Sequence, residues 1–212
     1  MSRLNDLAGR RRFDFSILTD MRCEVFDFTA HVNVADLNDR KHAITRVDDA
    51  VRVSKYRLVF RMPTLIGPGR FSSSTEIGVS TDVVDYPINE PNTWMISPDV
   101  PWSPHFREGS PVCLGNEAWK DHRGHITLGH LVLHLARLLN WDEKGRGLGY
   151  VGWNGTAIEY HRTHYRGRPL NPDIKYPTLP SWLSGTPDTM SDGFEIITMS
   201  VAWKPSSVEW LQ

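Results

Sequence analysis

Cys113 is the residue of this 212-residue chain best placed to act as a nucleophile. It follows an irregular stretch running from Pro98 through Pro101, Pro104 and Gly109 to Ser110-Pro111-Val112. It precedes a Leu-rich segment that begins near Thr127. A thiolate accepts an acyl group and later gives it up, splitting one difficult transfer into two easier ones. A thioester on Cys113 would hold a carboxyl group in activated form. An amine attacking its carbonyl would create an oxyanion, and that charge needs a hydrogen-bond donor close by. The bland alternative is a core filler, since free cysteine is among the most often buried residues.

Histidines are the next candidates. His130 and His134 stand four apart, a spacing that also suits metal ligation. No Glu sits beside His130 as in a zinc-protease helix, and no cysteine pair adds ligands. The pattern therefore reads as a solvated polar helix face, with Arg137 beside the two histidines. His122 with His125, and His161 with His164, meet the same objection. No metal and no cofactor is expected.

Composition narrows the class. Hydrophobic residues make up 40% and charged residues 23% of the chain, ordinary for a globular protein. The net charge of −1 gives no global field favouring nucleic acid. No apolar run approaches the roughly 18 residues of a membrane span, and the start lacks a signal-peptide apolar region. The two cysteines, Cys23 and Cys113, are expected to stay reduced, which points to the cytoplasm.

These residues need a scaffold, and periodicity outlines one. Arg3 to about Met21 predicts a helix. Val25–Ala30 and Tyr56–Arg61 predict strands, Gly67-Pro68-Gly69 a turn, and Phe71–Val84 a further strand around Ile77 and Val79. Trp94-Met95-Ile96 predicts a short strand. After the Pro-rich loop, Leu128, Leu131, Val132, Leu135, Leu138 and Leu139 fall on one helical face, with Thr127 as N-cap. His130, His134 and Arg137 are expected on the opposite face. A helix, antiparallel strands, a loop and a helix give an α+β fold with helices on one side of a sheet. Residues 1–143 form the expected core domain, and residues 144–212 a loop-rich extension. In that extension several Gly, then Pro169, Pro172, Pro177 and Pro180, predict irregular structure ending near Trp182. Phe194–Val201 predicts a late strand or helix.

The stretch from Tyr86 to Leu139 resembles the ubiquitin-conjugating enzyme family. That family reads Tyr-Pro-x-x-Pro-Pro, His-Pro-Asn, a catalytic Cys followed by Leu, a Trp several residues on, and an apolar helix. Here Tyr86-Pro87-Ile88-Asn89-Glu90-Pro91 carries the first element, with Asn92 in place of the second Pro. Cys113-Leu114, Trp119 and the helix from Ile126 to Leu139 carry the later ones. The departure is at His-Pro-Asn, where this chain reads Ser103-Pro104-His105. Gly109 also lies one residue further from the cysteine than is usual, a shift of register that bears on His105 more than on Cys113.

The resemblance implies a ubiquitin-conjugating-like fold, with a ubiquitin-like modifier carried as a thioester on Cys113. It implies an activating enzyme, the modifier and a target protein as partners; the net charge and the absence of a long apolar run set nucleic acid and membrane aside. His105 stands where the family keeps the Asn assigned to oxyanion stabilisation or loop holding, and an imidazole can donate as an amide does. Asp142 and Glu143 stand where an acidic residue helps orient the incoming lysine. Arg10, Arg11 and Arg12 lie on the first helix, whose basic residues dock the activating enzyme in the family. Trp119 is expected to pack the loop down and to take no part in chemistry. The divergence looks nearer the family's bacterial relatives, which sit in modifier systems tied to antiviral defence. Two other readings stand beside this one: a catalytically inactive modifier-binding variant of the same fold, and an unrelated cysteine hydrolase.

Overall fold

The computed structural model describes residues 2–32, 37, 42–114, 126–142, 154–183, 187–189 and 195–197. Helix α1 spans Ser2–Asp20. Strands β1 (Phe26–His31), β2 (Lys55–Phe60), β5 (Thr75–Ser80) and β6 (Asn92–Met95) form one sheet in the order β1-β2-β5-β6. Every neighbouring pair in it is antiparallel. A hairpin of β3 (Thr64–Gly67) and β4 (Arg70–Ser72) leaves the sheet between β2 and β5. Its turn is the Pro68-Gly69 pair, with Gly69 at φ +67, a conformation that glycine adopts without strain.

Register decides which face of the sheet is apolar. Phe26 pairs with Phe60, Phe28 with Leu58, and Ala30 with Tyr56. Tyr56 then pairs with Val79, and Leu58 with Ile77. All of these residues are buried. Because side chains alternate along a strand, one face carries this apolar set and the other carries the residues between. The second face holds Arg57 doubly hydrogen-bonded to Glu76, at 2.6 and 2.9 Å, and Asp27 paired with Arg61 at 3.0 Å. Gly78 is also on that face. A Cβ there would lie 2.2 Å from Trp94, so the indole lies across a strand position that only glycine leaves open.

The apolar face packs into one core with α1 and with α2, which spans Leu128–Leu139. Helix α1 contributes Phe15, Ile17 and Leu18, and Met21 joins them just past its end. Gly129 lets the two helices approach closely: a Cβ there would stand 2.5 Å from Ile17 Cγ2 and 2.9 Å from Met21 Sδ. This is the α+β arrangement expected from the sequence, with helices and an antiparallel sheet sharing a core.

The extension departs from the expected loop-rich segment. Gly155–Tyr165 forms helix α3, capped by the Asn154 side chain, which accepts from the Ala157 amide at 3.0 Å. Its polar face, led by Glu159 and Arg162, obscured the helix in a stretch punctuated by glycines. The chain then runs back along α2. Asn140 accepts from the Asn171 amide at 2.8 Å and donates to the Asn171 carbonyl at 2.9 Å. Ile174, Tyr176 and Leu179 pack against the core. A 3-10 turn at Ser181–Leu183 follows, then a two-stranded pair of β7 (Pro187–Thr189) and β8 (Glu195–Ile197). Strand β8 gives the late segment from Phe194 its extended form over these three residues.

Candidate functional site around Cys113

The loop between β6 and α2 is held at several points. The Trp102 amide donates to the Leu65 carbonyl at 2.7 Å, fixing the loop start to the β3-β4 hairpin. The His105 amide donates to Ser103 Oγ at 3.2 Å. The Cys113 amide donates to the His105 carbonyl at 2.9 Å, closing the segment between them. Phe106, Val112 and Leu114 are buried in the core, while Arg107, Glu108, Gly109 and Pro111 are exposed. Gly109 has φ +67, the left-handed turn that this tip needs. Cys113 is therefore half-buried at the base of an exposed tip, between two core residues. Cys23 is exposed and sits in the turn before β1.

The Cys113 amide bears on mechanism. In cysteine and serine hydrolases that use the nucleophile's own N–H as an oxyanion donor, that group must face the reacting carbonyl. Here it is committed to the His105 carbonyl. This geometry disfavours the cysteine-hydrolase reading. His105 itself is buried, with 3% of its surface exposed, and is no solvent-facing loop residue.

Helix α2 forms the wall behind the loop, and here the sequence-based expectation needs correction. His130 and His134 are 5% and 6% exposed, so they do not form a solvated face. The apolar stripe marks the side that meets the sheet. It says nothing of what meets the other side: Arg10 and Asp14 of α1 near His130, and the Leu114 carbonyl against His134. The His134 Nε2–H donates to the Leu114 carbonyl at 3.1 Å. His130 Nδ1 accepts from the Thr127 amide at 3.2 Å, completing a reciprocal cap at the helix start. Burial first, and then the nearby Arg10 charge, lower the His130 pKa to about 4, against a smaller upward pull from Asp14. His130 is thus neutral near pH 7, as an Nδ1 acceptor must be.

Arg10 is also corrected. Its Nε donates to Asp14 Oδ2 at 2.8 Å, and its guanidinium reaches the Ile126 carbonyl. Its side chain is only 10% exposed, so it faces the interior and is not part of a docking surface. Asp14 is the hub of this cluster. It accepts the Tyr86 hydroxyl at 2.6 Å and the Leu128 amide at 3.0 Å. One carboxylate thereby ties α1 to the loop after β5 and to the N-terminus of α2, where a negative charge is favoured. Burial and the Asp14 charge hold the Tyr86 phenol well above its ordinary pKa, so it remains a donor. Arg11 is half-buried and Arg12 exposed.

Asp142 is half-buried at the end of α2, its amide donating to the Arg137 carbonyl at 2.9 Å. Its carboxylate lies beside Tyr176. Burial, offset by the Asn140 hydrogen bond and reinforced by Asp142, raises the Tyr176 phenol above its ordinary range. His161 is buried, stacks on Trp141 at 4.2 Å and contacts the Arg168 carbonyl at 2.8 Å. His164 stacks on Tyr160 at 4.0 Å. Glu143, Trp119, His122 and His125 lie outside the described residues. Among the described residues no group of three or more His, Cys, Asp or Glu is placed to hold a metal ion, and no helix is long and apolar enough to cross a membrane.

Sequence reasoning missed Asp14 and the roles of His130 and His134. An acidic residue inside an otherwise core-facing run of α1 (Phe15, Ile17, Leu18) was the available signal for Asp14.

No protein-family model matches the chain, and no curated protein matches it. Among solved structures the chain is similar to human ubiquitin-conjugating enzyme E2 G1, at 17% identity and a TM-score of 0.41, covering 66% of this chain and 96% of that one.

Proposed function

We propose that this chain is a ubiquitin-conjugating-like acyltransferase that carries a ubiquitin-like modifier on Cys113. The Cys113 sulfur attacks the modifier's C-terminal thioester on an activating enzyme. A new C–S bond forms, the old one breaks, and the enzyme's thiolate leaves. A target amine then attacks the new thioester. A C–N bond forms, the Cys113 C–S bond breaks, and the amine gives up a proton. The observation that carries this reading is a half-buried cysteine, in no disulfide, at the base of a pinned loop ahead of a buried helix. It stands in the order Tyr86-Pro87, Pro104, Cys113-Leu114 that the family resemblance requires. In this reading His105 donates to the oxyanion, and Asp142 or Glu143 orients the incoming amine. Arg11 and Arg12 meet the activating enzyme, without Arg10. The setting is a cytoplasmic modifier system of the kind that bacterial relatives use in antiviral defence.

The test is adduct formation with the cognate activating enzyme, modifier and ATP. A reductant-labile adduct should form and vanish in Cys113→Ala. An adduct lost in Cys23→Ala and kept in Cys113→Ala would move the site. His105→Ala should slow discharge to lysine far more than loading, by roughly 10²–10³ if one oxyanion donor is lost. Neighbouring reading frames for an activating enzyme and a small modifier ending in Gly would identify the system.

A further inference from the structure

We propose that His134 is a positioning residue for Cys113, holding the chain just past the thiol through the Leu114 carbonyl. This rests on the reading of Cys113 as the acyl carrier.

The segment has two anchors. On one side the Cys113 amide donates to the His105 carbonyl at 2.9 Å. On the other the His134 Nε2–H donates to the Leu114 carbonyl at 3.1 Å. Only the backbone torsions of Cys113 and Leu114 lie between them, so the two bonds together set the direction of the Cys113 Cα–Cβ bond that carries the sulfur. The first anchor lies within the loop itself. The second belongs to α2, whose start is capped through Thr127 and His130 and tied to α1 through Asp14. His134 therefore transmits the position of the rigid core to the reacting residue. A carbonyl can only accept, so the contact requires a hydrogen on His134 Nε2. The ring is 6% exposed, so water does not readily replace it.

Two variants of similar size separate this role from packing. Gln places its amide nitrogen about where Nε2 stands, and Asn places its own about where Nδ1 stands. His134→Gln should discharge its thioester within about twofold of wild type. His134→Asn should lose roughly 10- to 100-fold, the scale of a misplacement of about 1 Å at a reacting group. A second readout needs no modifier: the pH profile of iodoacetamide alkylation at Cys113, followed by peptide mapping to separate Cys23. Its midpoint should move in His134→Asn and stay in His134→Gln. Equal behaviour of the two variants in both assays would overturn the proposal. Should either variant fail to fold, nitrogen NMR of the wild-type histidines decides: an Nδ1–H tautomer at His134 overturns it, and an Nε2–H tautomer coupled to the Leu114 carbonyl supports it. A wild-type protein that forms no adduct, with an alkylation midpoint that still moves in Asn alone, would remove the acyl-carrier reading and leave the positioning role standing.

Discussion

Asp14 and His130 show how single buried groups hold this site together. Asp14 is buried with four polar neighbours around it: the Arg10 guanidinium, the Tyr86 hydroxyl, the Leu128 amide and, one step away, His130. Removing one partner of a buried ion pair leaves the other charge uncompensated, which costs about 3–5 kcal/mol. Asp14→Asn keeps the shape and removes the charge, so denaturant unfolding should show a loss of that order. A loss below ~1 kcal/mol, the worth of an exposed pair, would mean that Arg10 finds another partner. His130 supplies a pH dependence whose sign follows from its displaced proton. Folded, it titrates near 4; unfolded, near its ordinary 6.5. Between those values the unfolded chain binds a proton that the folded one refuses, so stability is full above pH 6.5 and falls as pH drops toward 4. At about 1.4 kcal/mol per tenfold change, the loss is on the order of 3 kcal/mol. His130→Gln keeps a capping acceptor and removes the titration. The wild type should therefore lose this much more than the variant between pH 7 and pH 4 in parallel denaturation curves; parallel losses would assign the acid sensitivity elsewhere.

At the scale of elements, the contact of α1 with α2 is set by Gly129. Replacing a helical glycine by alanine ordinarily favours the helix by about 1 kcal/mol. Here the added methyl would meet Ile17 at 2.5 Å and both Leu179 and Met21 at 2.9 Å. Overpacking of that kind costs about 1–3 kcal/mol, so the steric term wins. Gly129→Ala should lower the denaturation midpoint, and an unchanged or raised midpoint would show that α1 can shift without loss. Asn140 plays the matching part for the extension. It is fully buried and bonds both polar groups of the Asn171 backbone and the Tyr176 hydroxyl. Asn140→Ala should release the 170–176 stretch, and trypsin should cut after Lys175 faster than in wild type. Equal cutting rates would show that the packing of Ile174 and Leu179 suffices to hold it.

For the molecule as a whole, the two faces of the sheet divide the work. The apolar face joins the helices and carries the scaffold behind Cys113; the opposite face displays the Arg57–Glu76 pair and Trp94. On the proposed docking side, only Arg11 and Arg12 of the three adjacent arginines are outside the core. If they steer an activating enzyme, their effect lies mostly on encounter and weakens with salt. Reversing Arg11 and Arg12 to Glu should slow loading of Cys113 at low salt, with the difference shrinking as salt rises and with folding intact. Wild-type loading rates at low salt would take this segment out of the binding surface.

The sequence by itself determined the parts whose signal is local. Alternation placed β1, β2 and β5, the Pro68-Gly69 pair placed a turn, and leucine spacing with Thr127 placed α2 and its cap. The order of motifs around Cys113 singled out the thiol and its loop. Helix α3 stayed hidden because its polar face and flanking glycines weaken the periodic signal that marked α2. What only the tertiary structure decided is which polar groups face inward. His130 and His134 look like a solvated face because periodicity records which side is apolar and not what covers the other side. Arg10 looks like part of a basic patch because adjacency in sequence does not reveal that Asp14, Tyr86 and Ile126 converge on it. Burying such groups is favourable only where partners distant in the chain satisfy them. Those partners become neighbours only once α1, the cysteine loop and α2 have packed on one face of the sheet.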